Sequence, residues 1–305
     1  MNLVCVGSVG LDDVETPSGK VEGALGGSAI YFSLAAAFFS RLGFVGVIGD
    51  DFPEEGVSLL SNSGVDLRGL TRANGPTFRW SGRYHDDLNQ RDTLLTELNV
   101  FEHFDPVLPA DYQEVPFLFL GNIMPSLQLR VLEQAKNPEF VAIDTMNFWI
   151  DGWREDLERV LGKVDAVIIN DEEARDLAGE SNIIQAARAI EAMGPRVVVI
   201  KRGEYGALIF REGEYFFTPA FPLAEVVDPT GAGDCFAGGF MGYVAKRGNI
   251  EWSTLRQAVV AGSTIASFSV ENFSVERFVG LEMAEVQARA ERFKRLTEFP
   301  TLDLG

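Results

Sequence analysis

"VVDPTGAGDCFAGGF", residues 226–240, sets Gly231, Gly233, Gly238 and Gly239, with Asp228 and Asp234, between an apolar run ending at Val227 and a helix-like run through "MGYVA". Glycines this close together let backbone N–H groups converge on one point with no side chains between them. A helix starting at that point adds the positive end of its dipole. Such a place suits an anion, yet Asp234 puts a carboxylate beside it. Phosphoryl transfer to an alcohol needs both: backbone donors for the transferring phosphoryl group and a base for the hydroxyl proton. Gly231, Ala232 and Gly233 are the candidate donors, at the start of a helix expected to begin near Asp234, and Asp234 is the candidate base. Asp-Pro-Thr just before them favours a turn that fixes the approach to the helix. An aspartate N-cap after a glycine loop is a second reading, and the local pattern leaves it open.

Upstream of this stretch, short runs rich in Val, Ile and Phe recur at 3–9, 44–49, 117–121, 140–144, 166–170 and 196–200. They predict strands buried on both faces. Helical periodicity predicts helices over 28–41, 53–63, 126–135, 171–178, 182–193 and 234–247. Strand alternating with helix gives an α/β fold: a mostly parallel sheet with helices on both faces. Residues 12–25 and about 66–104 break the alternation. They are polar and rich in turn residues, and they alternate in places, as at Phe78, Trp80, Gly82 and Tyr84. We read them as a small inserted antiparallel sheet standing over the strand ends where open α/β sheets bind ligands, a lid on a single domain spanning 1–305.

A length of 305 residues, 46% hydrophobic and 23% charged, is that of an ordinary globular domain with a substantial core. The formal net charge of −19 repels phosphodiester backbones and anionic headgroups, which argues against nucleic acid and membrane partners. Any phosphate must then be met by a local positive field. Two cysteines, Cys5 and Cys235, make no disulfide framework, and with two histidines they make a poor zinc site. The start "LVCVGSV" lacks a basic leader, and no run reaches the length of a membrane span, so the expected location is cytoplasmic.

"DPTGAGDCFAGGF" resembles the C-terminal signature of the ribokinase, or PfkB-type carbohydrate kinase, family. The likeness extends through "VGSVGLDD", "GGSAIYFSLAAAF", "FVGVIGDDFPEEGV" and "VIINDEEARDLAG", which is nearly the whole chain. It implies a ribokinase-like fold with a β lid, ATP as phosphoryl donor with Mg²⁺, and a hydroxyl of a small polyol as acceptor. By the same resemblance Asp234 is the general base and Gly231 to Gly233 the anion hole. Asn170 lies near the ATP phosphates and Glu173 holds Mg²⁺ through water, although N-D-E-E alone also reads as a capped helix with an acidic first turn. Gly203 and Gly206 match the glycines of an ATP loop. Lys201 stands where the family has threonine, either meeting a phosphate or serving as a solvated strand-end charge. Asp12 matches the aspartate that binds two acceptor hydroxyls, with Asp13 as its alternative if the register slips. Gly26 and Gly27 match the double glycine at the acceptor. Asp228 and Thr230 match a loop that offers oxygens to K⁺ in many members.

Tyr31 departs from the pattern, standing where sugar kinases of the family often carry asparagine. It takes away an amide that would bond a sugar hydroxyl and adds a ring, which moves the expected acceptor from free ribose toward a ribonucleoside. Phe78, Trp80, Tyr84 and Tyr31 are either stacking surfaces for such a base or lid packing. Dehydrogenase, P-loop and protein-kinase signatures are absent. The rival function is a nucleotide-binding regulatory protein of the same fold that has lost turnover, against which the retained Asp234 and Glu173 argue. Apolar strands in an exposed lid also suggest a homodimer paired through it.

Overall fold

The six apolar runs all become strands of one sheet. The computed structural model describes residues 1–301. In chain order they form β1 Leu3–Val6, β2 Gly10–Thr16, β3 Gly19–Gly26, α1 Ser28–Ala36, β4 Leu42–Ile48, α2 Glu54–Asn62, β5 Asp66–Arg72, β6 Phe78–Tyr84, β7 Arg91–Glu97, β8 Phe117–Leu120, α3 Pro125–Gln134, β9 Phe140–Ile143, α4 Asn147–Gly152, α5 Arg154–Leu161, β10 Ala166–Asn170, α6 Asp171–Ala178, α7 Ile183–Glu191, β11 Val197–Lys201, β12 Ala207–Arg211, β13 Glu214–Thr218, α8 Ala232–Arg247, α9 Trp252–Ser269 and α10 Met283–Thr297.

Among the described residues, nine strands make the main sheet in the order β13-β12-β11-β10-β9-β8-β1-β4-β5. Its pairs are parallel from β5 across to β11, and antiparallel only at β11–β12 and β12–β13. β1, β4, β8 and β9 are buried along their whole length, as strands covered on both faces must be. One apolar cluster gathers Phe32, Phe119, Phe236, Phe240 and Phe268 on the α1, α8 and α9 side. The other gathers Val141, Leu157, Leu177 and Ile190 on the α3 to α7 side. β1 is flanked by β4, which follows it in the chain, and by β8, which comes much later. Between β1 and β8 the strand order reverses, and such a point opens a crevice at the C-terminal ends of the strands.

The second sheet runs β3-β2-β6-β7. It corrects the expected lid in two ways. β5, placed in the lid segment 66–104 by its polar sequence, is the edge strand of the main sheet, paired in parallel with β4. The lid itself is mixed, because β2 and β6 run parallel while β2–β3 and β6–β7 are antiparallel. β7 is exposed at every residue, so the lid has little core of its own, and Leu94 and Leu95 lie on its open edge. No helix among the described residues is long and apolar enough to cross a membrane.

Candidate active site

The glycine loop lies at the N-terminus of α8, and that helix packs on β1, β8 and β10, beside the crevice. α8 starts at Ala232, two positions before the expected Asp234, with Gly231 as its N-cap in the left-handed conformation, φ 73°. No side chain caps this end, so the N-cap reading of Asp234 is excluded: its carboxylate stands in the first turn. Gly231 is required twice over. Its φ favours glycine, and a Cβ there would collide with the ring of Tyr31 packed beneath it. The Ala232 N–H turns back to Pro229 O at 3.2 Å. Of the three expected donors, Gly231 and Gly233 have N–H groups with no partner among the described residues.

Lys201, at the end of β11, reaches the same point. A Cβ on Gly233 would stand 2.9 Å from Lys201 Nζ. The ammonium donates to Asp144 Oδ2 at 3.2 Å, and both side chains are largely buried. It is therefore no solvated strand-end charge. Burial alone would lower the Lys201 pKa, but the carboxylates of Asp144, Glu173 and Asp234 carry it upward, so the lysine stays charged. Burial, then the like charge of Asp144, pushes Asp234 up to about 7 against the pull of Lys201 and Arg91. Glu173 rises to about 7 for the same leading reasons. One ammonium thus faces three carboxyl groups where α/β sheets present their ligands.

Asn170 and Glu173 form a reciprocal capping box on α6: Asn170 Oδ1 accepts the Glu173 N–H and Glu173 Oε2 accepts the Asn170 N–H, each at 2.8 Å. The capped-helix reading is realised, and among the described residues Asn170 Nδ2 and Glu173 Oε1 take no part in it and have no other hydrogen-bond partner. Gly203 and Gly206 sit at positive φ in the next loop, and a Cβ on Gly203 would meet Asn89 at the β6–β7 tip of the lid.

On the lid side Asp12 and Asp13 part company. Asp13 Oδ1 accepts the Gly23 N–H at 2.7 Å on the outer face. Asp12 is 4% exposed, and a Cβ on Gly26 would collide with its carboxylate. Burial first, then Asp228 and Asp234, pushes Asp12 up to about 8. Gly27, at φ 93°, is the N-cap of α1, and a Cβ there would meet Ser8 O at 2.5 Å. Tyr31 is 2% exposed with its ring under Gly231, so it offers the cleft no ring face. Its hydroxyl is buried in the field of Asp12 and Asp228, with no hydrogen-bond partner among the described residues. Asp228, 1% exposed, accepts the N–H groups of Thr230 at 2.8 Å and Ser274 at 3.1 Å. The Thr230 hydroxyl donates to Tyr84 Oη of the lid at 3.2 Å.

Two residues go unread in the sequence as parts of a site, and a third reads there only as a stacking or packing aromatic. Asp144 appears in sequence as the last letter of a strand, and its partner lies 57 positions away. Arg91, in a polar segment, is the lid cation that lowers Asp12, Glu173 and Asp234. Tyr84 appears as one of several lid aromatics until its bond to Thr230 is seen.

Residues 2–278 match the family model described as pfkB family carbohydrate kinase. A cytidine kinase of Thermococcus kodakarensis is 32% identical over 81% of this chain and 90% of its own. Among solved structures, the nucleoside kinase of Methanocaldococcus jannaschii superposes with TM-score 0.75 at 18% identity, covering 96% of this chain and 99% of that one. An Arabidopsis thaliana ribokinase complexed with ribose and ATP superposes with TM-score 0.75 at 21% identity, covering 95% of this chain and 98% of that one.

Proposed function

The chain belongs to the pfkB family of carbohydrate kinases, and we propose that within it this protein phosphorylates a hydroxyl of a ribonucleoside, with Asp234 as general base. It is an ATP-dependent phosphotransferase acting on an alcohol group of a sugar or nucleoside. The observation that carries the base assignment is the half-buried Asp234 carboxylate one residue beyond Gly233, with Lys201 Nζ beside that glycine. A pure binder has no use for a raised-pKa acid next to its anion hole. The acceptor oxygen attacks the γ-phosphorus, the bond from phosphorus to the β–γ bridging oxygen breaks, and that oxygen leaves with ADP. The hydroxyl proton passes to Asp234. Gly231 and Gly233 N–H groups and the Lys201 ammonium receive the charge on the transferring group. Mg²⁺, when bound, neutralises phosphate charge, and the uncommitted Glu173 oxygen would hold it through water.

Asp12 would take the ribose diol. The amide missing at Tyr31 argues against a small free pentose, since a site built to bond a hydroxyl discriminates strongly when that partner is absent. The 32% identical cytidine kinase supports a nucleoside. K⁺ suits Asp228, a buried carboxylate whose partners are two backbone N–H groups, better than Thr230, whose hydroxyl is committed to Tyr84.

Asp234→Asn tests the assignment. Turnover should fall by about 10² or more with ATP binding and fold retained. The parental kcat should rise with pH through about 7, because a base whose pKa is raised is still protonated below it. An asparagine variant running at the parental rate excludes Asp234 as the base. The same assay with K⁺ replaced by choline reports on Asp228, and an unchanged rate removes the cation.

A further inference from the structure

The lid has one face toward the catalytic loop, and strand pairing tells which residues share it. Asp12, Val14 and Thr16 alternate along β2 on that side; Thr16 Oγ1 donates to Val227 O at 2.8 Å, just ahead of the glycine loop. Partners in register project the same way, so Trp80, opposite Asp12, and Gly82, opposite Val14, line this face with Tyr84 beyond them. Three aromatics are therefore candidates for a flat ligand, and two are already occupied. Phe78 packs on Phe101, centroids 5.6 Å apart, beside Gly10. Tyr84 is buried and bonded to Thr230. Trp80 is half-buried, and its indole lies across Gly82, where a Cβ would collide with the ring. Its Nε1 donates to Thr93 Oγ1 of β7 at 3.3 Å, and the exposed Arg91 side chain holds its guanidinium over the ring, the carbon 5.6 Å from the centroid, where an incoming base would take its place.

We propose that Trp80, laid flat by Gly82 and tethered by Thr93, is the platform on which the planar base of a nucleoside acceptor stacks while Asp12, its neighbour on β2, holds the ribose diol. The inference rests on the nucleoside reading above and moves the choice of acceptor from Tyr31, whose ring is covered, to the lid. Glycine at 82 serves this arrangement: any side chain there would lift the indole off the sheet. An indole face suits any base, so base identity is set by what rims the platform.

The test uses the full-length protein and compares cytidine with ribose, which keeps the diol and lacks the base. Trp80→Leu should lower kcat/KM for cytidine about tenfold, mainly through KM, while the value for ribose stays within twofold. Trp80→Phe should recover most of the loss. Gly82→Val, which keeps the tryptophan but displaces its indole, should act in the same direction as Trp80→Leu and guards against a leucine variant that folds poorly. A parent that prefers cytidine, with variants that leave the cytidine-to-ribose ratio unchanged, overturns the platform and spares the nucleoside reading. A parent that prefers ribose overturns both.

Discussion

Lys201 and Arg91 are both cations in the field of Asp234 and Glu173, but Lys201 ends a strand buried in the main sheet while Arg91 begins an edge strand exposed along its whole length. Lys201 is held by Asp144 inside the protein, so its charge belongs to the fold as much as to the site. Among the described residues Arg91 has no carboxylate partner within ion-pair distance, and it acts on the acids across the cleft. The difference separates two ways of placing charge. The sheet end is preorganised and expensive to alter; the lid is adjustable, and its residues count only when it stands over the loop.

Lys201→Met puts the largest weight on this contrast. It should lower kcat by about 10² and also cost roughly 3 kcal/mol of stability, because it leaves Asp144 buried without its partner. Denaturant unfolding beside steady-state rates reads both effects, and a stable variant would show that the pair is not structural. Arg91→Gln should lower kcat about tenfold, since an exposed cation is screened, and should leave the unfolding midpoint where it was. A loss of stability there would erase the distinction between the two regions. Tyr84→Phe should have the smallest effect on rate, within about threefold, but it severs the hydrogen bond from lid to catalytic loop. Hydrogen exchange over 78–97 should then speed up, while in the parent it should slow on adding cytidine. Protection that responds to neither change argues against a moving lid.

Much of the sheet end could be read from the chain because its chemistry is local. A strand covered on both faces shows as a run of Val, Ile and Phe, and the proposed anion hole and base occupy four consecutive residues, 231–234. β5 was misplaced because its sequence, "DLRGLTR", is that of a half-solvated edge, indistinguishable by composition from a lid strand. The Lys201–Asp144 pair depends on two strand ends being brought together, which no window of sequence contains. Arg91 depends on more, for a register shift between Ser81 and Gly82 decides which β7 side chains face inward. Tyr31 stands out in the sequence as a departure, but which side of the ring the protein keeps for itself is a matter of packing.

That packing ties two properties together. Tyr31 lies under Gly231 with its hydroxyl in the field of Asp12 and Asp228, so one side chain underpins the proposed anion hole and borders the proposed acceptor site. A lineage drifting from one acceptor to another through position 31 would disturb the support of the phosphoryl loop in the same step, and early variants would be slow on old and new substrates alike. Trp80 lies on a separate sheet, where it is held by the lid residues Thr93 and Arg91. Diversification of acceptors should therefore run through the lid first, with position 31 changing late, after the loop has found other support.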